Sequence, residues 1–186
     1  PYDLSTDPGG SSSGSGVAAA AGVAALTIGS DSEGSIISPA TQNNVVGIRP
    51  STGLWSRAGV VPISEWQDTL GPLVQSVSDA ALLLNVVSGR DPRDARTSET
   101  PEGIDYTAGL KTTALQGARI GVSNSTNAQY VAARNALAAQ GATVVQIPFG
   151  NFPGAQSILN REFRRDLTQY LTELPSSAPV KSFEEA

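Results

Sequence analysis

The sequence predicts an α/β fold in which a mixed central sheet is covered by helices. A strand, a helix and a second strand follow one another at residues 119–123, 127–140 and 143–148. Strand-type and helix-type segments also alternate elsewhere, which is typical of α/β proteins with a partly parallel sheet. The 186 residues, 39% of them hydrophobic, suffice for one domain with a sizeable core over residues 1–186.

The N-terminal part begins with a Gly/Ser loop at residues 8–16. Residues 17–26 are small and apolar on every side, so we expect a helix that is buried. Residues 27–29 indicate a short strand, and residues 30–35 a polar turn. The apolar run at residues 45–49 predicts a second buried strand.

The later elements are predicted from hydrophobic periodicity and from the positions of Gly and Pro. Residues 50–72 are rich in Gly and Pro and predict a loop. Residues 75–88 have helical periodicity, and Gly89 is placed to cap that helix. Residues 155–173 predict another amphipathic helix.

Several polar and aromatic residues have ordinary structural roles in this interpretation. Both tryptophans are expected to fill the core, namely Trp55 and Trp66. Four carboxylates are expected to cap helices, close turns or face solvent: Asp68, Asp79, Asp91 and Asp94.

The composition excludes several classes of chemistry. The chain has no Cys and no His, which rules out thiol catalysis, cysteine zinc sites and a Ser-His-Asp triad within it. Net charge is −5 with no basic run, so no nucleic-acid partner is expected. No apolar run approaches the roughly 18 residues of a transmembrane helix, so no membrane span is expected.

Two serine-bearing turns flank the small-residue helix, at Gly9–Ser15 and Gly29–Ser35. A chain that leaves as a helix and returns as a strand brings such turns side by side. Successive N–H groups that point inward form an anion-binding concavity. A serine hydroxyl beside such donors is the arrangement that acyl transfer needs.

Other interpretations of these turns are weaker. A Gly/Ser run alone is typical of a flexible linker, but a linker does not lead into a buried-type helix. Asp31, Glu33 and Gly34 resemble a calcium loop, yet its twelfth position is Gln42 instead of Glu. A phosphate loop needs Gly-Lys-Ser/Thr, and no lysine precedes Lys111. We therefore expect no metal and no cofactor.

Ordered motifs extend over the first half of the chain. They are Asp7–Gly16, Gly29–Ala40, Asn44–Pro50, Ser56–Ser64, Asp68–Pro72, Ser78–Leu84 and Gly89–Pro92. Together they resemble the amidase signature family, densely over residues 1–94, and the peptide amidase branch most of all.

The resemblance implies a Ser–cis-Ser–Lys triad, which agrees with the absence of histidine. Ser35 falls on the nucleophile, and Ser11 falls on the bridging serine, with its hydroxyl near 3 Å from that of Ser35. The bond from Gly10 to Ser11 is then cis. The oxyanion hole falls on the backbone N–H groups of Ser32, Glu33 and Gly34, with that of Ser35 itself.

Further expectations come from the same resemblance. Ser12 and Asp31 adjoin the two turns and are expected to support them. The triad lysine lies upstream of the motif in the family, and neither Lys111 nor Lys181 matches its position. We therefore expect a fragment truncated at both ends that is inactive alone.

The implied function is hydrolysis of a carboxamide C–N bond through an acyl-enzyme on Ser35. The expected substrate is a C-terminal peptide amide or another small linear amide. One alternative is a catalytically inactive fragment or pseudoenzyme that acts as a binding module. Another is a subunit of a tRNA-dependent amidotransferase, which the Ser-Ser-Ser turn and Glu33 make less favoured.

Overall fold

The computed structural model describes residues 3–148 and 155–185. The chain divides into two compact units, one of Pro1–Tyr106 with Gly154–Ala186 and one of Thr107–Pro153. The predicted α/β class is confirmed, with strands that are distributed over two small sheets. In the described part, no helix is long and apolar enough to cross a membrane.

Helices and strands alternate along both units. The helices are α1 (Ser13–Ala20), α2 (Ile37–Asn43), α3 (Val77–Val87), α4 (Ala128–Ala139) and α5 (Ala155–Glu173), with a 3-10 helix at Ala95–Glu99. The strands are β1 (Thr27–Asp31), β2 (Val46–Gly47), β3 (Thr69–Val74), β4 (Arg119–Val122) and β5 (Thr143–Gln146).

The first unit contains an antiparallel sheet with the order β1–β3–β2. Asp31 at the end of β1 lies opposite Thr69 at the start of β3. The central strand β3 overlaps the C-terminal end of residues 50–72, which the sequence predicted as loop. The loop prediction is therefore wrong for residues 69–72. Pro72 lies inside it, where proline normally argues against a central strand. The Pro72 carbonyl still accepts a bond of 3.1 Å from the Ile48 N–H.

Helix α1 begins and ends earlier than the composition predicts. Gly22, at a φ of +67°, ends it: the N–H groups of Gly22 and Val23 bond to the carbonyls of Ala19 and Ala18, which is a Schellman ending. Within the helix Gly16 and Ala19 are buried. The prediction of all-round burial is wrong, because Val17 and Val23 are 39% and 76% exposed.

Helix α3 is confirmed, with a cap different from the expected one. Ser76 accepts the Asp79 N–H and donates its hydroxyl to the Asp79 carboxylate. The role expected for Asp79 is therefore confirmed. At the other end the C-cap is Ser88 in an extended conformation, instead of Gly89.

Two small apolar clusters form the core of the first unit. One joins Ile36, Ala40 and Leu73, and the other contains Trp55. Trp55 is fully buried, as expected. Trp66 is 59% exposed, so its predicted core position is wrong. The guanidinium of a neighbouring Arg96 lies 3.6 Å from the centre of its ring.

The second unit contains the predicted strand–helix–strand motif. Strands β4 and β5 are parallel, with Arg119 opposite Thr143, and α4 lies between them in sequence. Asn127 caps α4 by accepting the N–H groups of Gln129 and Tyr130. These segments were predicted to be neighbours in one sheet, and the structure confirms it.

Candidate functional site

The first serine turn is attached to strand β1 through its hydroxyls. Ser12 donates to the Ser30 carbonyl at 2.9 Å and accepts the Ser30 N–H at 3.1 Å. Ser15 donates to the Ile28 carbonyl at 2.7 Å. The bond from Gly10 to Ser11 is cis, as predicted. These bonds attach Ser12 to β1, and its supporting role stays a prediction.

Glycine at position 29 permits this close approach. A Cβ on Gly29 would lie 2.6 Å from Leu73 Cδ1 and 2.8 Å from Ser12 Oγ. Real Cβ atoms do not make such contacts. Gly29 is therefore the residue that lets the first turn and β3 both contact the backbone of β1.

Asp31 organises the second turn from within. Its side chain is fully buried, and it accepts bonds from the N–H groups of Gly34 (2.6 Å) and Ile36 (2.8 Å). The Arg49 guanidinium contacts it at 3.0 Å. The carboxylate therefore accepts the backbone N–H of the residue before Ser35 and of the residue after it.

This arrangement changes the expected set of oxyanion donors. The Gly34 N–H is already bound to Asp31, so it is not open to a ligand in this structure. Within residues 3–148 and 155–185, no group accepts a hydrogen bond from the N–H of Ser32, Glu33 or Ser35. Among the described residues these three backbone donors are therefore unpaired.

The two serine turns are in direct contact, as the sequence predicted. The Ser12 N–H donates to the Ser35 carbonyl at 3.2 Å. Ser11 is exposed and Ser35 half-buried. Among the described residues, neither hydroxyl has a hydrogen-bond partner, so the bond expected between them is not formed here. Catalytic hydrogen bonds are often long without substrate and tighten in the complex.

Sequence reasoning missed the part that Asp68 plays at this site. The Ser32 hydroxyl donates to the Asp68 carboxylate, which also accepts the N–H groups of Ile63 (2.7 Å) and Ser64 (3.0 Å). The signal that would have revealed it is strand register. Because Asp31 pairs with Thr69, the next residues outward, Ser32 and Asp68, face each other.

A cleft of about 280 Å³ opens beside the second turn. Ser30 and Ser32 lie at one side, and residues 57–63 and part of α5 form its walls. Arg57 and Asp94, both in the lining, form an ion pair at 2.7 Å. Burial pushes the Asp94 pKa upward, but the bonds and charge of Arg57 outweigh it and leave that pKa below its ordinary value.

The two lysines of the chain belong to different units. Lys181 donates through Nζ to the carbonyls of Leu174 and Pro175, and Lys111 lies in the second unit. In the part of the chain that the structure describes, no cluster of three or more acidic residues could hold a metal ion.

Comparison with known proteins identifies relatives over the whole chain. The Amidase family model matches residues 1–183. A probable amidase of Arabidopsis thaliana is 42% identical over 194 residues, which cover 98% of this chain and 38% of the relative. A glutamyl-tRNA(Gln) amidotransferase subunit of Caldanaerobacter subterraneus is 48% identical over 123 residues, 66% of this chain and 25% of that protein.

A solved structure agrees over the full length of this chain. The native peptide amidase from Stenotrophomonas maltophilia superposes with a TM-score of 0.90 and 39% identity, covering 100% of this chain and 40% of that one. The chain thus spans about two fifths of the length of these two amidases. Since the family model and a 42% identical relative both extend over nearly all its residues, the chain belongs to the amidase signature family.

Proposed function

We propose that the full-length protein hydrolyses carboxamide C–N bonds through an acyl-enzyme on Ser35. The observation that carries the proposal is the contact between the two serine turns. The Ser12–Ser35 backbone bond joins the turn that carries Ser11 to the turn that carries Ser35. Among the described residues, the N–H groups of Ser32, Glu33 and Ser35 in that second turn have no acceptor. A nucleophile and oxyanion donors are thereby adjacent.

In the proposed first step, Ser35 Oγ attacks the amide carbonyl carbon and its proton passes to Ser11. The carbonyl oxygen becomes negatively charged and accepts hydrogen bonds from the backbone N–H groups of Ser32 and Glu33. Gly34 contributes differently from the expectation, because its N–H stays with Asp31 and holds the turn in shape. Preorganised donors of this kind are worth several kcal/mol in the transition state.

The proton balance requires a base beyond the two serines. We assign it to a neutral lysine elsewhere in the full-length protein, since burial lowers a lysine pKa and makes it a competent base. The proton moves from Ser35 through Ser11 to this lysine and then to the leaving nitrogen, which departs as ammonia. Water then cleaves the serine ester, releasing the carboxylic acid and restoring the hydroxyl.

The proposed substrate is a C-terminal peptide amide or a related linear amide. Support comes from the likeness to a peptide amidase over the full chain. The cleft beside Ser32 is lined in part by Val60, Val61 and Tyr170, and also by charged side chains such as Arg57 and Glu173. Its apolar part suits an uncharged group on the acyl part of the substrate.

A second candidate is a component of a tRNA-dependent amidotransferase. The observation that favours it is the 48% identity to a glutamyl-tRNA(Gln) amidotransferase subunit, although that match covers only 66% of this chain. Such a component would release ammonia from glutamine instead of from amidated peptides.

The proposal is tested by measuring ammonia released from an amidated dipeptide by the full-length protein. Ser35→Ala should lower the rate by about a thousandfold or more, because only binding and the oxyanion donors remain. Ser38→Ala is the matched control, since Ser38 is an exposed serine on the next helix and should retain activity. A chelator should leave the rate unchanged, and the 186 residues alone should be inactive.

The possible results separate the alternatives. Equal release by the wild type and Ser35→Ala would refute the nucleophile assignment. Release from glutamine alone would favour the amidotransferase component. No release from any amide by the folded wild type would favour a catalytically inactive binding module.

A further inference from the structure

We propose that Asp68 is a positioning residue that fixes the oxyanion-donor turn through the Ser32 side chain; this inference rests on the proposed amidase function. Asp68 itself touches no reacting atom in this role. It acts by holding the backbone on which the Ser32 and Glu33 N–H groups are carried.

Strand register places the two residues together. Strands β1 and β3 pair antiparallel up to Asp31 and Thr69. Ser32 and Asp68 are the first residues beyond that pair, so they leave the sheet at the same end and face each other. The side-chain bond between them therefore continues the sheet by one more cross-strand link.

Both oxygens of the Asp68 carboxylate accept hydrogen bonds from the protein. One oxygen accepts the Ser32 hydroxyl, and the other accepts the N–H groups of Ile63 and Ser64 at 2.7 and 3.0 Å. The Asp68 N–H also donates to the Ser64 carbonyl at 2.9 Å. One side chain thus ties the second serine turn to the loop at residues 63–68.

Helix α5 anchors that loop in turn. The Ser64 hydroxyl donates to Glu162, a residue only 8% exposed. The Glu65 N–H donates to Asp166 at 2.6 Å. The loop is therefore fixed at both Ser64 and Glu65, and it is a firm support for Asp68.

The turn is held from two sides. Asp31 binds the N–H groups of Gly34 and Ile36 from the interior, while Asp68 binds the Ser32 hydroxyl from the cleft side. Neither carboxylate takes the N–H of Ser32 or Glu33. Both can therefore orient these donors without occupying them, and that preorganisation is what an oxyanion site requires.

Charge argues that Asp68 acts through geometry. A negative carboxylate close to a developing oxyanion opposes that charge, so its electrostatic effect alone would slow the reaction. A benefit from Asp68 must therefore come through the position of the turn. This separates it from a group that stabilises the transition state directly.

The test uses Asp68→Asn, Ser32→Ala and the double variant in the full-length protein, with amidated dipeptide as substrate. Each single variant should lower kcat by about tenfold to a hundredfold while KM changes less than about threefold, because a displaced donor weakens transition-state binding. The double variant should be no slower than the slower single variant, since both changes act on one interaction, which Asp68→Asn weakens and Ser32→Ala removes.

Asp79→Asn is the matched control. It weakens the cap of α3, far in sequence from both turns, and should lower the melting temperature with little change in kcat. If Asp68→Asn does not fold, Ser32→Ala removes the same bond with a smaller perturbation. A folded Ser32→Ala variant with wild-type kcat would overturn the inference, as would losses in the single variants that multiply in the double variant.

These results are distinct from failure of the proposed function. If the wild type releases no ammonia, the amidase proposal itself fails. If the wild type is active, Ser35→Ala is inactive and the Asp68 and Ser32 variants retain full kcat, only the positioning role is refuted.

Discussion

The two serine turns are held by opposite kinds of hydrogen bond. In the first turn, the hydroxyls of Ser12 and Ser15 donate to backbone carbonyls of β1. In the second turn, the carboxylates of Asp31 and Asp68 accept bonds from the turn. In the first turn the Ser12 and Ser15 hydroxyls are therefore engaged in hydrogen bonds to β1, whereas Ser11 is exposed.

Under the proposed function, this difference would let one small region combine a nucleophilic hydroxyl with unpaired backbone donors. Carboxylates can hold a loop without using every N–H, because one Asp accepts several bonds at chosen positions. The second turn is therefore hydrogen-bonded on its flanks, and within the described residues the N–H groups of Ser32, Glu33 and Ser35 stay unpaired. The following predictions test whether the two modes of support contribute unequally.

Loss of the buried carboxylate should have the largest effect. Asp31→Ala leaves the N–H groups of Gly34 and Ile36 without acceptors and Arg49 without its partner. We expect a loss of about 3 kcal/mol in the free energy of unfolding, measured by urea denaturation of the full-length protein. Asp31→Asn keeps a neutral acceptor and should lose less. A loss below about 1 kcal/mol for Asp31→Ala would contradict the central role of this side chain.

A steric change tests the first turn. Gly29→Ala would place a Cβ against Leu73 and Ser12, so the turn or β3 must move, with a loss of about 2 kcal/mol. Gly14→Ala is the matched control, because a Cβ at Gly14 meets nothing within 4 Å. In helix α1 this change should be neutral or should stabilise the protein. Similar melting temperatures for both variants would refute the close approach at Gly29.

Asp94, which lies outside both turns, forms a largely buried ion pair with Arg57 and serves as the reference. The Asp94 pKa is lowered in the folded protein, so its stabilising effect is complete above the unfolded pKa and is lost as pH falls through the folded value. Asp94→Asn should lose about 1 kcal/mol at pH 7, because a neutral bond to Arg57 replaces a charged one.

Unfolding free energies measured from about pH 7 down to about pH 2 check this prediction. The difference between wild type and Asp94→Asn should be constant above about pH 4 and shrink below it. A difference in unfolding free energy that grows as the pH falls would contradict a lowered Asp94 pKa in the folded protein.

Local elements were predictable because their signals lie within a few residues. The β4–α4–β5 motif has a helix start at Asn127 and a helix stop at Gly141, whose φ is +94°. Helices α3 and α5 were likewise evident from periodicity. The end of α1 had a local signal too, since Gly22 forms its Schellman ending, but the uniform Ala/Val composition concealed it.

Elements that depend on partners were not predictable. Strand β3 contains Pro72 and follows a Gly/Pro-rich segment, so only its pairing with both neighbours makes it a strand. Trp66 was assigned to the core by its apolar character, yet it is exposed beneath Arg96. The site residues followed from matched motifs, and their catalytic roles remain proposals.

The sequence by itself determined the α/β class, the family and the pair of serine turns, because these depend on residue order and short-range pattern. Only the tertiary structure decided which N–H groups stay open and which are taken. The Gly34 donor is bound because a buried Asp31 lies within reach, and Ser32 meets Asp68 because antiparallel register brings distant segments together. Ser32 and Asp68 are 36 residues apart in sequence. Their hydrogen bond depends on strand pairing, which no local sequence pattern specifies.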